Sequence, residues 1–278
     1  MIKVLNPGMY TSIQDKGRFG FAKMGVAAAG AMDAYAAELA NVLLQNDSKD
    51  AILEITFGQG VFEFTTATFF SLTGGDFSPK LNSLSIALNR VYFAEKGSIL
   101  FFERRHYGAR TYLAVQGGIR STIVFGSRSF SPGITKPRLE KGDELNIKPT
   151  TATPNDRFSK VKIQKNHFIS PGLECSPGPE FDRLNNKQKQ QLFESFTISE
   201  DNNRVGYRLN EPVKNDLQPI LTSAVLAGTV QLTPSGKLIV LMRDGQVTGG
   251  YPRVLQLSEY AISRLGQKIT GEKIQFKV

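Results

Sequence analysis

The glycines of the first forty residues constrain this chain more than any other feature. Gly8, Gly17, Gly20, Gly25 and Gly30 punctuate the run PGMYTSIQDKGRFGFAKMGVAAAGAMDAYAAELAN, from Pro7 to Asn41. Glycines this dense demand sharp turns or close backbone approach. A strand-like piece, Tyr10 to Ile13, runs into a polar cluster of Gln14, Asp15, Lys16 and Arg18. Charges among glycines form either a solvated loop or a site, and composition by itself favours the loop.

A helix follows. Over residues 31–44, Met32, Ala36, Leu39 and Leu43 fall on one apolar stripe at helical spacing. Asp33, Ala37 and Asn41 form a second row at four-residue steps, with small residues that let another surface approach. Asp33 in the first turn is favoured by the helix dipole, which alone accounts for it. A polar row facing the glycine-rich loop is the sharper reading.

The remaining chain is mostly alternating runs bounded by turn residues. Residues 51–64 read as a hairpin around Gly58-Gln59-Gly60, with Glu54 opposite the face of Leu53 and Ile55, hence in solvent or in a cleft. A strand over 65–72 ends in a turn at Thr73-Gly74-Gly75-Asp76. Residues 84–94, 97–103 and 109–115 are further strands. Gly126-Ser127-Arg128-Ser129 is an anion-binding turn or an exposed loop. Near the C-terminus, the glycines of Thr248-Gly249-Gly250-Tyr251 force a turn that exposes an aromatic beside polar groups.

Two halves are legible. Asp15-x-x-Arg18-x-Gly20-aromatic is echoed by Asp201-x-x-Arg204-x-Gly206-aromatic, and the 54–64 hairpin by one over 231–241. The first half spans 1–150 with a helix near 31–44. The second spans 160–278 with a helix near 181–195. Pro149 to Ser159, rich in Thr, Pro and Asn, reads as a linker.

Composition excludes several classes. The 278 residues are 40% hydrophobic and 21% charged, ordinary for a soluble globular protein. No apolar run approaches the roughly 18 residues of a membrane span, and no signal peptide is visible, so a cytoplasmic location is expected. The single cysteine, Cys175, excludes an intrachain disulfide, and with only His106 and His167 beside it no metal set is expected. A net charge of +9 is spread along the chain without a nucleic-acid motif. The basic residues suit an anionic small molecule or an acidic partner surface instead. Lys23-Met24 in AKMG does not match a biotin attachment site, so covalently bound biotin is not expected.

The segments SIQDKGRFGF, GVAAAGAMDAYAAELAN and ILEITFGQG resemble the opening of the KipA-type family, whose members are also called the C subunit of 5-oxoprolinase, or allophanate hydrolase subunit 2. That family is similar to the C-terminal half of the carboxyltransferase domain of urea carboxylase. GARTYLAVQGGI, FGSRS, LEKGDEL and DGQVTGGYPRV resemble later family blocks in the same order, so the likeness runs from about Val4 to Phe276. It implies a mainly β fold with a few helices, as two cyclophilin-like β-barrel halves related by a weak internal repeat. It implies one part of an ATP-dependent 5-oxoprolinase, with or without Mg, that opens 5-oxoproline to glutamate together with its A and KipI-type B subunits. Under that resemblance Asp15, Arg18 and Glu54 are the candidate catalytic residues, with Arg18 on a phosphate or carboxylate and Asp15 orienting Arg18 or the substrate. Gln14, Asp33, Asn41, Thr248, Gly249, Gly250 and Tyr251 are the candidate substrate-binding residues. Two other readings stand beside it: a regulatory module antagonising a KipI-type histidine-kinase inhibitor, and the carboxyltransferase component of a biotin-dependent urea carboxylase. The chain departs from the family pattern in SPGITKPRLEKGDEL, where relatives usually carry a Gly-Gly pair and then a Gly-Arg pair, and near Thr222 or Ser223, where they usually carry an acidic residue.

Overall fold

The computed structural model describes residues 1–148 and 163–278. The linker expected over Pro149–Ser159 lies outside the described residues. Contacts divide the chain into a first unit, Met1–Arg18 with Ala29–Phe168, and a second, Phe19–Ala28 with Ile169–Val278. No helix among the described residues is long and apolar enough to cross a membrane.

The first unit contains β1 (Ile2–Asn6), β2 (Tyr10–Gln14), α1 (Ala34–Leu43), β3 (Ile52–Thr56), β4 (Val61–Phe64), β5 (Thr68–Asp76), β6 (Lys80–Leu81), β7 (Leu84–Ser85), β8 (Arg90–Ala94), β9 (Ser98–Phe101), β10 (Tyr107–Val115), β11 (Ile119–Arg120) and β12 (Glu144–Ile147). The single turn α2 (Asn166–Ile169) follows. One sheet runs β11-β12-β1-β4-β9-β6-β7 and the other β2-β3-β10-β5-β8. Alternation assigns their faces. Leu53, Ile55, Leu72 and Leu113 of the second sheet enclose a core with Ile2, Val4, Phe62 and Phe64 of the first. The opposite face carries Ile52, Phe69, Tyr112 and Ala114, which pack with Ala36, Ala37 and Ala40 of α1. The second sheet is thus covered on both sides.

The helix expected over 31–44 begins at Ala34 because Asp33 is its N-cap, accepting the Ala36 amide at 2.9 Å. Small residues let α1 lie close enough for the Ser71 and Thr73 hydroxyls of β5 to donate to the Ala40 and Ala36 carbonyls, each at 2.7 Å.

Three local expectations are corrected. Residues 51–64 are not a hairpin: β3 pairs with β2 and β10, whereas β4 pairs with β1 and β9. The chain changes sheets between them, where Phe57, Gly58 and Gln59 all take positive φ. The turn expected at Thr73–Asp76 is the end of β5, with Gly74 at a shift of register against β10. The run over 84–94 divides into β7 and β8.

The second unit contains β13 (Gly172–Pro177), α3 (Asn186–Leu192), β14 (Ser195–Asn202), β15 (Gly206–Leu209), β16 (Ser223–Ala224), β17 (Thr229–Leu232), β18 (Leu238–Leu241), β19 (Thr248–Gly249), β20 (Arg253–Leu257), α4 (Glu259–Leu265) and β21 (Lys273–Lys277). The order β13-β20-β17-β18-β15-β14-β21 closes into a seven-strand barrel through the parallel pair β13–β21. The helix expected over 181–195 is broken. A 3-10 turn at Phe181–Arg183 gives way to extended Leu184, and α3 starts afresh on the capping box of Asn185 and Gln188. The hairpin expected over 231–241 is present as β17–β18.

Candidate functional site

Gln14, Asp15 and Arg18 converge on one loop. The Asp15 carboxylate accepts from the Gly17 amide (2.8 Å), the Ser127 hydroxyl (2.6 Å), the Arg128 amide (2.6 Å) and the Ser129 hydroxyl (2.7 Å). The Gly-Ser-Arg-Ser turn does bind an anion, and that anion is the protein's own Asp15. Arg18, only 2% exposed, donates from Nη2 to the Ser129 carbonyl at 2.5 Å and from Nε to the Val124 carbonyl at 3.4 Å. Gln14, fully buried, donates to the Ser12 hydroxyl and the Phe130 carbonyl. The three side chains clasp residues 124–130.

The altered stretch that follows is also held in place. The Ser131 carbonyl accepts from the Ile134 and Thr135 amides, the Leu139 amide donates to the Thr11 carbonyl, and the Tyr10 hydroxyl donates to the Pro137 carbonyl.

Asp33 and Glu54 meet in a second cluster. The expectation of a solvent-facing or cleft-facing Glu54 is corrected: its side chain is fully buried. Alternation does put it opposite Leu53 and Ile55, but α1 covers that face. Glu54 accepts from the Met32 amide at 2.7 Å and the Tyr112 hydroxyl at 2.9 Å, and lies 3.5 Å from Arg110 Nε. Tyr112 is its cross-strand partner on β10, and Arg110 lies two residues along the same face. The Tyr112 hydroxyl in turn accepts the Asp33 amide at 2.8 Å, and Asp33 Oδ2 lies 2.8 Å from His167 Nε2 with both side chains fully buried. Burial, then the Glu54 and Asp33 charges, hold the Tyr112 hydroxyl well above the ordinary phenol range, so it remains a donor.

Three consecutive amides join the two clusters. The Ala31 amide donates to the Asp15 carbonyl, Met32 to the Glu54 carboxylate and Asp33 to the Tyr112 hydroxyl. Gly30 makes this possible: its φ is +95°, and a Cβ there would lie 3.1 Å from the Lys16 carbonyl oxygen.

Asn41 stands apart. Its amide nitrogen donates to the Asp50 carbonyl and its oxygen accepts from Asn46, so it fixes the chain after α1; no side-chain hydrogen bond among the described residues joins it to Asp15. Thr248, Gly249, Gly250 and Tyr251 belong to the second unit. The turn expected there is β19 paired with β16, and Gly250 accepts the Ile220 amide through its carbonyl. Gly249 serves close approach: a Cβ would lie 2.4 Å from Gln231 Nε2. Tyr251 is 39% exposed, as expected of an aromatic presented to solvent.

Arg110, Tyr112 and His167 were not singled out by sequence. The alternation of ARTYLAV places Arg110 and Tyr112 on one face, a signal that needs the β3–β10 register to point at Glu54. Nothing local marks His167.

Residues 24–278 match the carboxyltransferase domain, subdomain A and B. The chain belongs to that family. It is 34% identical over 284 residues to the C subunit of 5-oxoprolinase from Escherichia coli (strain K12), a match covering 99% of this chain and 90% of that protein. It is 30% identical to the C subunit of 5-oxoprolinase from Haemophilus influenzae, covering 100% of this chain and 91% of that protein. It is also 28% identical to urea amidolyase of Lachancea kluyveri, covering 99% of this chain but 17% of that protein. Among solved structures, TTHA0988 superposes with a TM-score of 0.89 at 28% identity; the chain is covered completely and spans 55% of that chain. This carboxyltransferase-family fold is therefore shared with 5-oxoprolinase components and with one segment of larger urea-metabolising proteins.

Proposed function

We infer that this chain is the C subunit of an ATP-dependent 5-oxoprolinase. The observation that carries the reading is identity to two proteins of that name across almost the whole of both partners. The reaction opens the lactam of 5-oxoproline to glutamate. A lactam carbonyl is a poor electrophile; phosphoryl transfer from ATP to its oxygen releases ADP and opens the carbon to water. Cleavage of the C–N bond in the hydrated adduct frees the amine and leaves an acyl phosphate, and a second water releases phosphate to give glutamate. In this reading the A and KipI-type B subunits complete the enzyme.

Asp15, Arg18 and Glu54 act here as positioning residues. Each is engaged by protein partners, and together they fix the 124–130 loop and the start of α1. That start does not fit a nucleotide phosphate, because the Asp33 carboxylate already caps it. ATP contacts are accordingly assigned away from α1.

The test is glutamate formation from 5-oxoproline and ATP, with the chain alone and with its two cognate partners. Activity only in the full mixture is expected. Stable association with the KipI-type partner without turnover in any mixture would remove this reading. The urea amidolyase likeness favours one second reading, carboxyl transfer to or from biotin on another chain. Turnover of carboxybiotin by the purified chain would favour it.

A further inference from the structure

We propose that the cavity walled by the 119–136 loop binds a small monocarboxylate, with Arg128 as its counter-charge. The cavity has a volume of about 450 Å³ and lies wholly within the first unit. Its floor is apolar, formed by Ile13, Leu139 and Leu145, all buried.

Three cations line it: Arg120, Arg128 and Lys136. Lys136 is matched by Asp143 at 2.7 Å and Glu140 at 3.4 Å. Arg120 lies 3.9 Å from Asp50. Arg128 has no carboxylate within ion-pair distance among the described residues, and its guanidinium donates to the Ser121 carbonyl from Nη1 alone. Its position is nevertheless tightly set. The Arg128 amide is held by Asp15, and the serines on both sides turn their hydroxyls to the same carboxylate. The clasp thus presents Arg128 to the cavity wall.

A half-buried guanidinium without a carboxylate partner among the described residues, on the wall of a cavity with an apolar floor, suits one carboxylate on a compact body. Asp143 and Glu144 on the same wall make a polyphosphate a poor occupant. The ligand class stands on this geometry alone. Naming 5-oxoproline as its member rests on the reading given under Proposed function.

The test is an amide-resolved NMR titration of the full chain with 5-oxoproline, with 2-pyrrolidinone, which lacks the carboxylate, and with a set of other small monocarboxylates. Wild-type protein should show saturable shifts centred on residues 121–130 with 5-oxoproline and none with 2-pyrrolidinone. Arg128→Gln should weaken binding at least tenfold and Arg128→Lys less, with the remaining amide spectrum unchanged. Binding of other monocarboxylates with the same Arg128 dependence, but not of 5-oxoproline, would keep this site and count against the 5-oxoprolinase reading. No saturable shift with any carboxylate, or equal affinity in wild type and Arg128→Gln, would overturn the proposal.

Discussion

Replacing Asp15 by alanine should release the 127–129 turn. The carboxylate accepts four hydrogen bonds, and two of its donors, Ser127 and Ser129, are almost completely buried. Hydrogen bonds to a charged group contribute about 1.5–3 kcal/mol each, but four bonds to one carboxylate do not add, and Asp15 is itself partly solvated. A local cost of about 3 kcal/mol is a fair expectation, mostly from donors left without acceptors. The assay is native-state amide exchange, which reads the free energy of local opening. At about 1.4 kcal/mol per factor of ten, the Arg128 amide should exchange on the order of a hundredfold faster in Asp15→Ala. Asp15→Asn sharpens the test. An oxygen in place of Oδ1 keeps the Gly17 amide and the serine hydroxyls, while the new amide group faces the Arg128 amide, which loses its acceptor. Arg128 should then be exposed to exchange and Gly17 protected. Unchanged exchange at Arg128 in Asp15→Ala would refute the clasp.

Other consequences are open to measurement. Tyr112→Phe removes the hydroxyl between the Asp33 amide and Glu54 and should lower stability by about 2 kcal/mol in urea unfolding; an unchanged midpoint would show that the network is not needed. Burial pushes the Cys175 thiol up to about 11, so iodoacetamide should alkylate it at pH 8 about a hundredfold more slowly than an unperturbed thiol, with the rate still rising above about pH 10. Glu180 is hydrogen-bonded by Arg253 through Nε, Nη2 and the backbone amide, and these bonds and the Arg253 charge hold its carboxyl below the usual range despite burial. Its stabilising contribution is therefore full above the unfolded carboxylate value of about 4.3 and lost as pH falls through the lower folded value. Glu180→Gln should flatten that acid limb of the stability curve, and an identical pH profile would count against the pairing.

Much of this was legible in the sequence, and the failures have a common cause. Alternation correctly put Leu53 and Ile55 on one face and Glu54 on the other, because a two-residue period needs no partner to be read. It could not say that α1 would cover the other face, so Glu54 looked available to solvent. The runs over 54–64 and 231–241 carry the same local signature, yet one changes sheets and the other is a hairpin; only pairing with distant strands distinguishes them. The Gly-Ser-Arg-Ser turn was legible only as an anion seat or an exposed loop, because the carboxylate that decides between them lies more than a hundred positions earlier in the chain. Asp33 and His167 are further apart still, and neither carries a local mark of the other.

The ladder of amides at 31, 32 and 33 bears on how variants of this chain should be read. It ties the Asp15 backbone, the Glu54 carboxylate and the Tyr112 hydroxyl to one rigid segment. A loss of turnover in a Glu54 or Asp15 variant would resemble the loss of a catalytic group, although neither carboxylate is presented to a ligand by its present partners. The two roles separate by the form of the loss. A group that contacts the reacting atoms lowers the rate of bound substrate, whereas one that fixes the loop weakens what the loop holds. If Asp15 positions Arg128 at the proposed carboxylate site, Asp15→Asn and Arg128→Gln should raise KM for a substrate bound there while leaving most of kcat, and the double variant should be little worse than either alone. Fully additive effects, or a loss confined to kcat, would place Asp15 in the chemistry itself.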